Sequence, residues 1–317
     1  MIISASRRTD IPTYYSNWFY NRIREGYVYV RNPMNIHQIG KVSLSPDVVD
    51  GIVFWTKNPI PMMGRLDELK DYAYYFQFTL NPYGKDVEPN LPSKNDSIIP
   101  AFQSLSKKIG REKVLWRYDP IFFNGKYTLE YHLKYFRMLA ERLAGSTEKC
   151  TVSFLDLYRH IRRKTAPLGL VDPTLSQKEK LMRRFSEIAQ EAGISLDTCA
   201  ETIDLSRFGI RHARCIDPKR LERLGGYPLS VGKDKNQRPA CGCVASIDIG
   251  AYDTCGSGCA YCYANGRPST VQKNFAAHDP ASPILFGKIE EGDVIRVRDG
   301  KSCRDRQLDL FHPQAFS

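Results

Sequence analysis

The strongest constraint on the fold of this chain is an alternation of short apolar runs with amphipathic segments. The runs predict seven β-strands, at residues 1–6, 51–56, 74–80, 113–118, 150–157, 194–198 and 243–249. Apolar residues spaced three or four apart predict helices at residues 18–23, 62–69, 98–109, 129–143 and 175–192. Such an alternation is typical of parallel strands joined by right-handed crossovers. It predicts an α/β fold, either an α/β barrel, partial or full, or an open doubly wound sheet.

Polar residues stand directly at the ends of several predicted strands, and this favours the barrel. In α/β barrels the reactive groups lie where strands end and loops begin, so these side chains would converge on one opening. The simpler alternative is turn formation, to which Asn58-Pro59 and Asp119-Pro120 are suited. The candidate catalytic residues at these strand ends are Arg7, Arg8, Asp10, Lys57, Arg117 and Asp119.

The remaining segments predict smaller additions to the strand–helix core. Residues 27–44 alternate apolar and polar side chains around Asn-Pro-Met-Asn, which predicts a β-hairpin, and residues 293–299 predict a short strand. We expect residues 1–198 to form barrel units. Residues 199–317 form a cysteine-rich segment that we expect to pack on the same domain and complete it.

The composition indicates the compartment and the kind of partner. No stretch approaches the roughly 18 apolar residues of a membrane helix, so we expect a cytoplasmic protein without a membrane partner. In that reducing compartment, nine cysteines favour metal binding over disulfides. The net charge of +11 favours anionic substrates or nucleic acid. The densest basic stretch, residues 158–164, either follows a phosphate backbone or forms a solvated turn.

Three cysteines fall within eight residues near the C-terminal end, in the sequence CGSGCAYC. Cys255, Cys259 and Cys262 have the spacing C-x3-C-x2-C, which differs from the C-x2-C pairs of zinc ribbons. Three thiolates from one loop can hold three irons of a cubane [4Fe-4S] cluster and leave the fourth iron open. The small residues between the first two cysteines would let the backbone approach the cluster closely.

Four further cysteines form a second candidate metal group just upstream. They could hold a second iron–sulfur cluster or a structural zinc ion. The alternative is that two of them, Cys199 and Cys215, are small buried core residues. The group consists of Cys199, Cys215, Cys241 and Cys243.

The loop, with Tyr261 immediately before its third cysteine, resembles the signature of the radical S-adenosylmethionine superfamily. Its continuation CAYCYAN is similar to the spore photoproduct lyase-like branch. The resemblance implies a partial or full α/β barrel with a [4Fe-4S] cluster on Cys255, Cys259 and Cys262. It also implies S-adenosylmethionine at the open iron, an electron donor, and cleavage of the cofactor to a 5'-deoxyadenosyl radical.

The position of the loop departs from the superfamily pattern, in which the cysteines follow the first strand. Here they follow the last predicted strand, which a circular permutation would explain if that strand lies beside the N-terminal one. The N-terminal sequence SASRRTD would then stand where superfamily members bind the cofactor's amino group, with Asp10 as its only carboxylate. The layout resembles an uncharacterised bacterial domain family with a C-terminal cysteine loop.

Two functions of different classes follow from these features. The first is a radical S-adenosylmethionine-like iron–sulfur enzyme whose substrate the sequence does not specify. The second is a metal-stabilised protein, held by zinc or a structural cluster, that binds nucleic acid without radical chemistry. Metal content separates the two, because iron with acid-labile sulfide favours the enzyme and zinc favours the binding protein.

Overall fold

The computed structural model describes residues 1–298 and 300–305, and an eight-stranded sheet organises it. All neighbouring strands in this sheet are parallel, in the order β10-β1-β4-β5-β6-β7-β8-β9. The strands are β1 (Ile2–Ala5), β4 (Gly51–Thr56), β5 (Tyr74–Thr79), β6 (Val114–Ile121), β7 (Lys149–Phe154), β8 (Ser195–Thr198), β9 (Arg211–His212) and β10 (Ile247–Asp248). The mixed α/β class and all seven predicted strands are therefore confirmed.

A smaller sheet contains the predicted hairpin. Strands β2 (Tyr27–Asn32) and β3 (Asn35–Ser43) pair in antiparallel fashion, and β11 (Val294–Arg298) adds to β3 in parallel. The prediction of a strand at residues 293–299 is thus confirmed over its described part, since residue 299 lies outside the described residues.

The helices connect the strands of the large sheet. Within the described residues they are α1 (Ile11–Tyr14), α2 (Ser16–Glu25), α3 (Ile60–Met63), α4 (Ile99–Ile109), α5 (Leu129–Leu143), α6 (Arg162–Thr165), α7 (Leu175–Glu191), α8 (Pro218–Gly225) and α9 (Pro268–Ala276). None of them is long and apolar enough to cross a membrane. The continuous helix predicted at residues 62–69 is wrong, because α3 ends at Met63 and a separate 3₁₀ turn spans Leu66–Leu69.

The sheet winds in one direction, and its two faces are covered differently. From β1 to β9 each new strand is added on the same side of its predecessor, so right-handed crossovers place the connecting helices on one face. There Trp116 stacks on Phe136 of α5, and Phe136 stacks on Phe185 of α7. The opposite face packs on α8 and on the chain around Cys215 and Cys243.

The sheet is open, and its two edge strands are β10 and β9. Within the described residues no pairing joins these edges, so a full, closed barrel is not seen. The winding also differs from a doubly wound sheet, in which the strand order reverses at a switch point. Both β9 and β10 come from residues 199–317, so the cysteine-rich segment contributes both edges of the sheet.

The strand before the cysteine loop lies beside the N-terminal strand. Ile247 and Asp248 of β10 pair in parallel with Ile3 and Ser4 of β1. The carboxylate of Asp248 accepts hydrogen bonds from Ser4 Oγ at 3.0 Å and from the backbone N–H of Arg7 at 2.8 Å. Two strands about 240 residues apart in sequence are thereby held together at the point where β1 ends.

Candidate metal centre

One cavity opens at the carboxyl ends of the parallel strands and encloses about 420 Å³. It brings together all seven cysteines predicted to bind metal, although they come from four separate stretches of the chain. Tyr261 and the six predicted catalytic residues also line it. The predicted residues on its wall are Arg7, Arg8, Asp10, Lys57, Arg117, Asp119, Cys199, Cys215, Cys241, Cys243, Cys255, Cys259, Tyr261 and Cys262.

Hydrogen bonds from three directions fix the backbone of the cysteine loop. Its middle is anchored by the Ala260 N–H, which donates to the carbonyl of Val87 at 2.9 Å. The Asn90 amide donates to the Gly256 carbonyl at 2.8 Å, and the Asn265 amide donates to the Cys255 carbonyl at 2.6 Å. These contacts hold the loop backbone at Cys255, Gly256 and Ala260.

Two glycines allow the loop to lie this close to its neighbours. A Cβ at Gly256 would come within 2.8 Å of the Tyr14 ring. Gly258 has φ +68°, and a Cβ there would lie 2.9 Å from Nδ2 of Asn90. These two glycines thus lie against protein groups, and the predicted close approach of the loop backbone to a cluster stays a prediction.

Burial of Cys255 and Cys259 favours the protonated form of these two thiols. Burial raises the pKa of Cys255 to about 11, with a smaller contribution from Asp10. Burial likewise raises the pKa of Cys259, although Lys57 acts against it. Metal ligation replaces thiol protons, so a bound metal would supply the positive charge that these thiolates otherwise lack.

A buried ionic network lies against the loop. Lys57 Nζ is 2.7 Å from Glu88 Oε1 and 2.8 Å from the Tyr261 hydroxyl, which also contacts Glu88 directly. Lys94 Nζ lies 2.5 Å from the other carboxylate oxygen. Burial alone would raise the pKa of Glu88, but the two lysines outweigh it and lower this pKa to about 2. Glu88 therefore stays ionised and joins two lysines to the cysteine loop.

The second cysteine group meets a buried arginine. The Sγ atoms of Cys199 and Cys215 are 3.3 Å apart, and Arg117 Nη1 donates to Cys215 Sγ at 2.9 Å. Hydrogen bonds from the thiols of Cys199 and Cys243, together with Arg117, lower the pKa of Cys215 against the effect of burial. The group therefore favours one thiolate even before any metal binds.

Arg117 also connects this cysteine group to the strand ends. Its guanidinium forms an ion pair with Asp119, whose carboxylate accepts from Ser153 as well. The Trp55 ring lies on the cavity wall with Arg117 and Arg7 over it, at 5.1 and 5.5 Å from the ring centroid. Arg117 and Asp119 thus form one side of the cavity, between the second cysteine group and the strand ends.

Asp10 serves the local backbone. Its carboxylate accepts from the N–H of Thr13 at 3.0 Å, which caps α1, and from the N–H of Lys57 at 2.8 Å. Burial raises the pKa of Asp10, although these hydrogen bonds act in the opposite direction. It borders the cavity while joining the ends of β1 and β4, and its predicted contact with the cofactor stays a prediction.

The donor set of the loop fits a cubane cluster in its chemistry. Three thiols from one loop border one cavity, and the Lys57 cation lies close to Cys259. In the part of the chain that the structure describes, no three His, Cys, Asp or Glu side chains are arranged to hold a single metal ion. A cubane makes a different demand, because each thiolate binds a separate iron.

Sequence reasoning missed several residues that shape the site. Glu88 lies in the irregular chain after β5, Lys94 begins a π-helical turn at Lys94–Ile98, and Asp248 ends a strand of only two residues. Nothing in their spacing indicates a role. Trp55 lines the cavity, whereas Trp116 is fully buried among Tyr118 and Phe136.

The fold and the site define an α/β protein with an open, singly wound parallel sheet and a cysteine-lined cavity at its carboxyl edge. Residues 2–264 match a family described as a domain of unknown function, DUF1848, and the chain belongs to that family. The matched region contains all seven cavity cysteines. No curated protein and no solved structure matches the chain.

Proposed function

We propose that this chain is a radical S-adenosylmethionine-like iron–sulfur enzyme. The observation that carries the proposal is the convergence of Cys255, Cys259 and Cys262 with the polar strand ends on one cavity. A cavity of this size lies within the range of small-molecule sites. The loop spacing supplies the resemblance, and the cavity supplies a place for a cofactor and substrate beside the cysteines.

The strand order supports the same proposal. Counted across the sheet, β10 is the first strand and β1 the second. The cysteine loop therefore follows the first strand of the sheet in space, although β10 is the last strand of this sheet in sequence. This is the arrangement expected of a circularly permuted partial barrel. On this basis the sequence SASRRTD, which begins in β1 and continues past its end, would stand at the second-strand position beside the loop.

The chain's own residues have distinct parts in this proposal. Cys255, Cys259 and Cys262 would hold a [4Fe-4S] cluster, which when bound supplies the electron that cleaves S-adenosylmethionine. Lys57 offsets negative charge at Cys259 and hydrogen-bonds to Tyr261. Arg7 and Arg117 present guanidinium groups to the cavity, and guanidinium groups suit carboxylate or phosphate oxygens. Asp10 holds two strand ends in place.

The second cysteine group would hold an auxiliary metal site. Cys199, Cys215, Cys241 and Cys243 together offer four thiols on the same cavity wall, which suits a second iron–sulfur cluster. Zinc would require these side chains to move closer together, because no three His, Cys, Asp or Glu side chains of the described residues are arranged to hold a single ion. Arg117 would then donate a hydrogen bond to a ligating sulfur, and such contacts tune the properties of a metal site.

A metal-stabilised protein that binds nucleic acid is the second candidate. The observation that favours it is the basic stretch at residues 159–164, in which Arg159, Arg162 and Arg163 are exposed. In this case the cysteines would serve folding alone. The two candidates differ in the metal that they require and in whether S-adenosylmethionine is cleaved.

Metal analysis after anaerobic purification tests the proposal. We expect iron and acid-labile sulfide in the wild type, and loss of about four irons when Cys255, Cys259 and Cys262 are all changed to alanine. Cys303→Ser is the matched control because Cys303 does not border the cavity. With a reductant and S-adenosylmethionine the wild type should form 5'-deoxyadenosine. A colourless protein that carries zinc without iron would favour the second candidate.

A further inference from the structure

A rim of tyrosines and basic residues surrounds the opening of the cavity. We propose that this rim binds single-stranded nucleic acid and presents one of its bases to the cavity. The inference rests on the proposed function for its chemistry, whereas the binding surface itself is independent of it. Arg7, Arg8, Tyr158 and Tyr263 of the rim border the cavity, and Tyr252 and Arg298 line an adjoining hollow. The rim continues into the exposed Arg162 and Arg163 of α6, which directly follow Ile161 on the cavity wall.

The tyrosines of the rim are exposed at the site where a ligand would enter. Tyr158, Tyr252 and Tyr263 are 38%, 42% and 44% exposed. The rings of Tyr158 and Tyr263 lie 6.3 Å apart and both border the cavity. Exposed aromatic faces beside a groove are the platforms on which unpaired bases stack. A duplex offers no free base faces except at its ends, so these rings favour a single strand.

Tyr263 connects the two basic sides of the rim. Its hydroxyl donates to the carbonyl of Arg7 at 2.8 Å, and its own carbonyl lies 3.2 Å from Nε2 of His160 in the basic stretch. On the first side Arg8 lies 5.2 Å over the ring of Tyr252. On the other side Lys164 Nζ lies 3.4 Å from the Cys262 carbonyl. Positive charge therefore flanks the cysteine loop on both sides.

A second hollow extends the opening on the side of Arg8. It encloses about 570 Å³ and shares Arg7, Arg8 and Tyr263 with the cavity. Arg298 lines its far wall, and Arg31 there is already paired with Asp293. Arginines distributed over the two connected hollows and the neighbouring α6 are better matched to a chain of phosphates than to one small anion.

The carboxylates near the rim have partners of their own. Asp156 pairs with Arg238, and Asp248 accepts backbone and hydroxyl hydrogen bonds. Asp234 is buried and accepts from the N–H of Asn236 at 2.9 Å. Among the described residues no salt bridge joins Arg7, Arg8, Arg162 or Arg163 to a carboxylate, so these four cations are available to phosphates.

The test measures binding of fluorescein-labelled oligothymidylate of about 12 nucleotides to the anaerobically purified full chain without S-adenosylmethionine. Fluorescence anisotropy gives the affinity between about 50 and about 200 mM salt. Arg162→Gln with Arg163→Gln should weaken binding at least about tenfold and reduce the salt slope by about 1.4. Tyr252→Ala should weaken binding about tenfold and leave the slope unchanged.

Arg183→Gln with Arg184→Gln is the matched control, because it removes the same charge from exposed positions on α7, away from the cavity. This pair should bind like the wild type. Inorganic polyphosphate of similar charge should displace the oligonucleotide poorly, because it has no bases to stack. Equal displacement by polyphosphate, equal binding of a duplex, or normal binding by Tyr252→Ala would overturn the proposal.

The test separates this inference from the proposed function. If the anaerobically reconstituted wild type binds the oligonucleotide but contains no iron–sulfur cluster, the rim is supported and the proposed enzyme is contradicted. Formation of 5'-deoxyadenosine without oligonucleotide binding would do the opposite, leaving the enzyme intact and the rim refuted.

Discussion

At the scale of single residues, Glu88 connects the charged groups beside the cysteine loop. Its carboxylate is buried and lies between Lys57 and Lys94, and it also contacts the hydroxyl of Tyr261 in the cysteine loop. Removing one partner from a buried ionic group leaves the remaining charges without compensation. Glu88 therefore determines whether two lysines can stay buried beside the thiols.

We expect Glu88→Gln to lower the free energy of unfolding of the metal-free protein by about 3–5 kcal/mol, because two buried ammonium groups lose their anion. Urea denaturation under reducing conditions measures this. Asp86→Asn is the matched control, since Asp86 pairs with Lys126 in an exposed ion pair and should cost less than about 1 kcal/mol. Equal losses for the two variants would show that the network does not stabilise the fold.

The same residue predicts a dependence on pH. The pKa of Glu88 falls from 4.5 to about 2 on folding, so its stabilisation is complete above the unfolded value and is lost as the pH falls through that interval. The shift corresponds to about 3 kcal/mol. The difference in stability between wild type and Glu88→Gln should therefore shrink between about pH 5 and pH 2. A difference that stays constant over this range would contradict the assignment.

At the scale of elements, the shape of the cysteine loop depends on Gly258. The backbone of Gly258 is left-handed, a conformation that costs an alanine about 1–2 kcal/mol. A Cβ at this position would also press on Asn90. We expect Gly258→Ala to reduce the iron bound per chain after reconstitution. Gly64→Ala is the control, because its Cβ would meet open space. Full iron content in Gly258→Ala would show that the loop shape is not required.

The pairing of β10 with β1 depends on Asp248. Its carboxylate accepts four hydrogen bonds, two from serine hydroxyls and two from backbone N–H groups. Asp248→Ala leaves these donors without their acceptor, and we expect a loss of at least about 2 kcal/mol in the free energy of unfolding. Adding Ser4→Ala and Ser6→Ala to Asp248→Ala removes the two hydroxyl donors that lost their acceptor. This triple variant should regain part of the lost free energy of unfolding. No recovery in the triple variant would contradict the role of these contacts.

The elements were predicted well where local pattern determines them. Apolar runs marked all seven predicted strands, and most of these strands are buried in a parallel sheet, whereas β10 is half-buried. At the start of α7, Thr174 and Gln177 form a capping box, which is a local sequence signal of the same kind. The helix expected at residues 62–69 is broken, because the chain leaves α3 at Gly64 and then turns. Helices α8 and α9 were missed since their sequences carry few apolar residues.

At the scale of the whole molecule, the convergence of the predicted residues follows from topology. Parallel strands all end at one edge, so Arg7, Lys57 and Arg117 meet although they are far apart in sequence. The adjacency of β10 and β1, expected from the late position of the loop, is present as well. Glu88 could not be foreseen, because its partners are set by tertiary packing of an irregular segment. An open sheet and a closed barrel also differ only in edge pairing, which strand patterns do not encode.

The most direct measurement of the central claim is electron paramagnetic resonance of the anaerobically reconstituted, reduced full chain. We expect a [4Fe-4S] signal whose g-values shift when S-adenosylmethionine is added, and loss of that shift when Cys255, Cys259 and Cys262 are replaced by alanine. A remaining signal in this variant would belong to the second cysteine group. A reduced wild type without a cluster signal, or with a signal that S-adenosylmethionine leaves unchanged, would contradict the proposed enzyme.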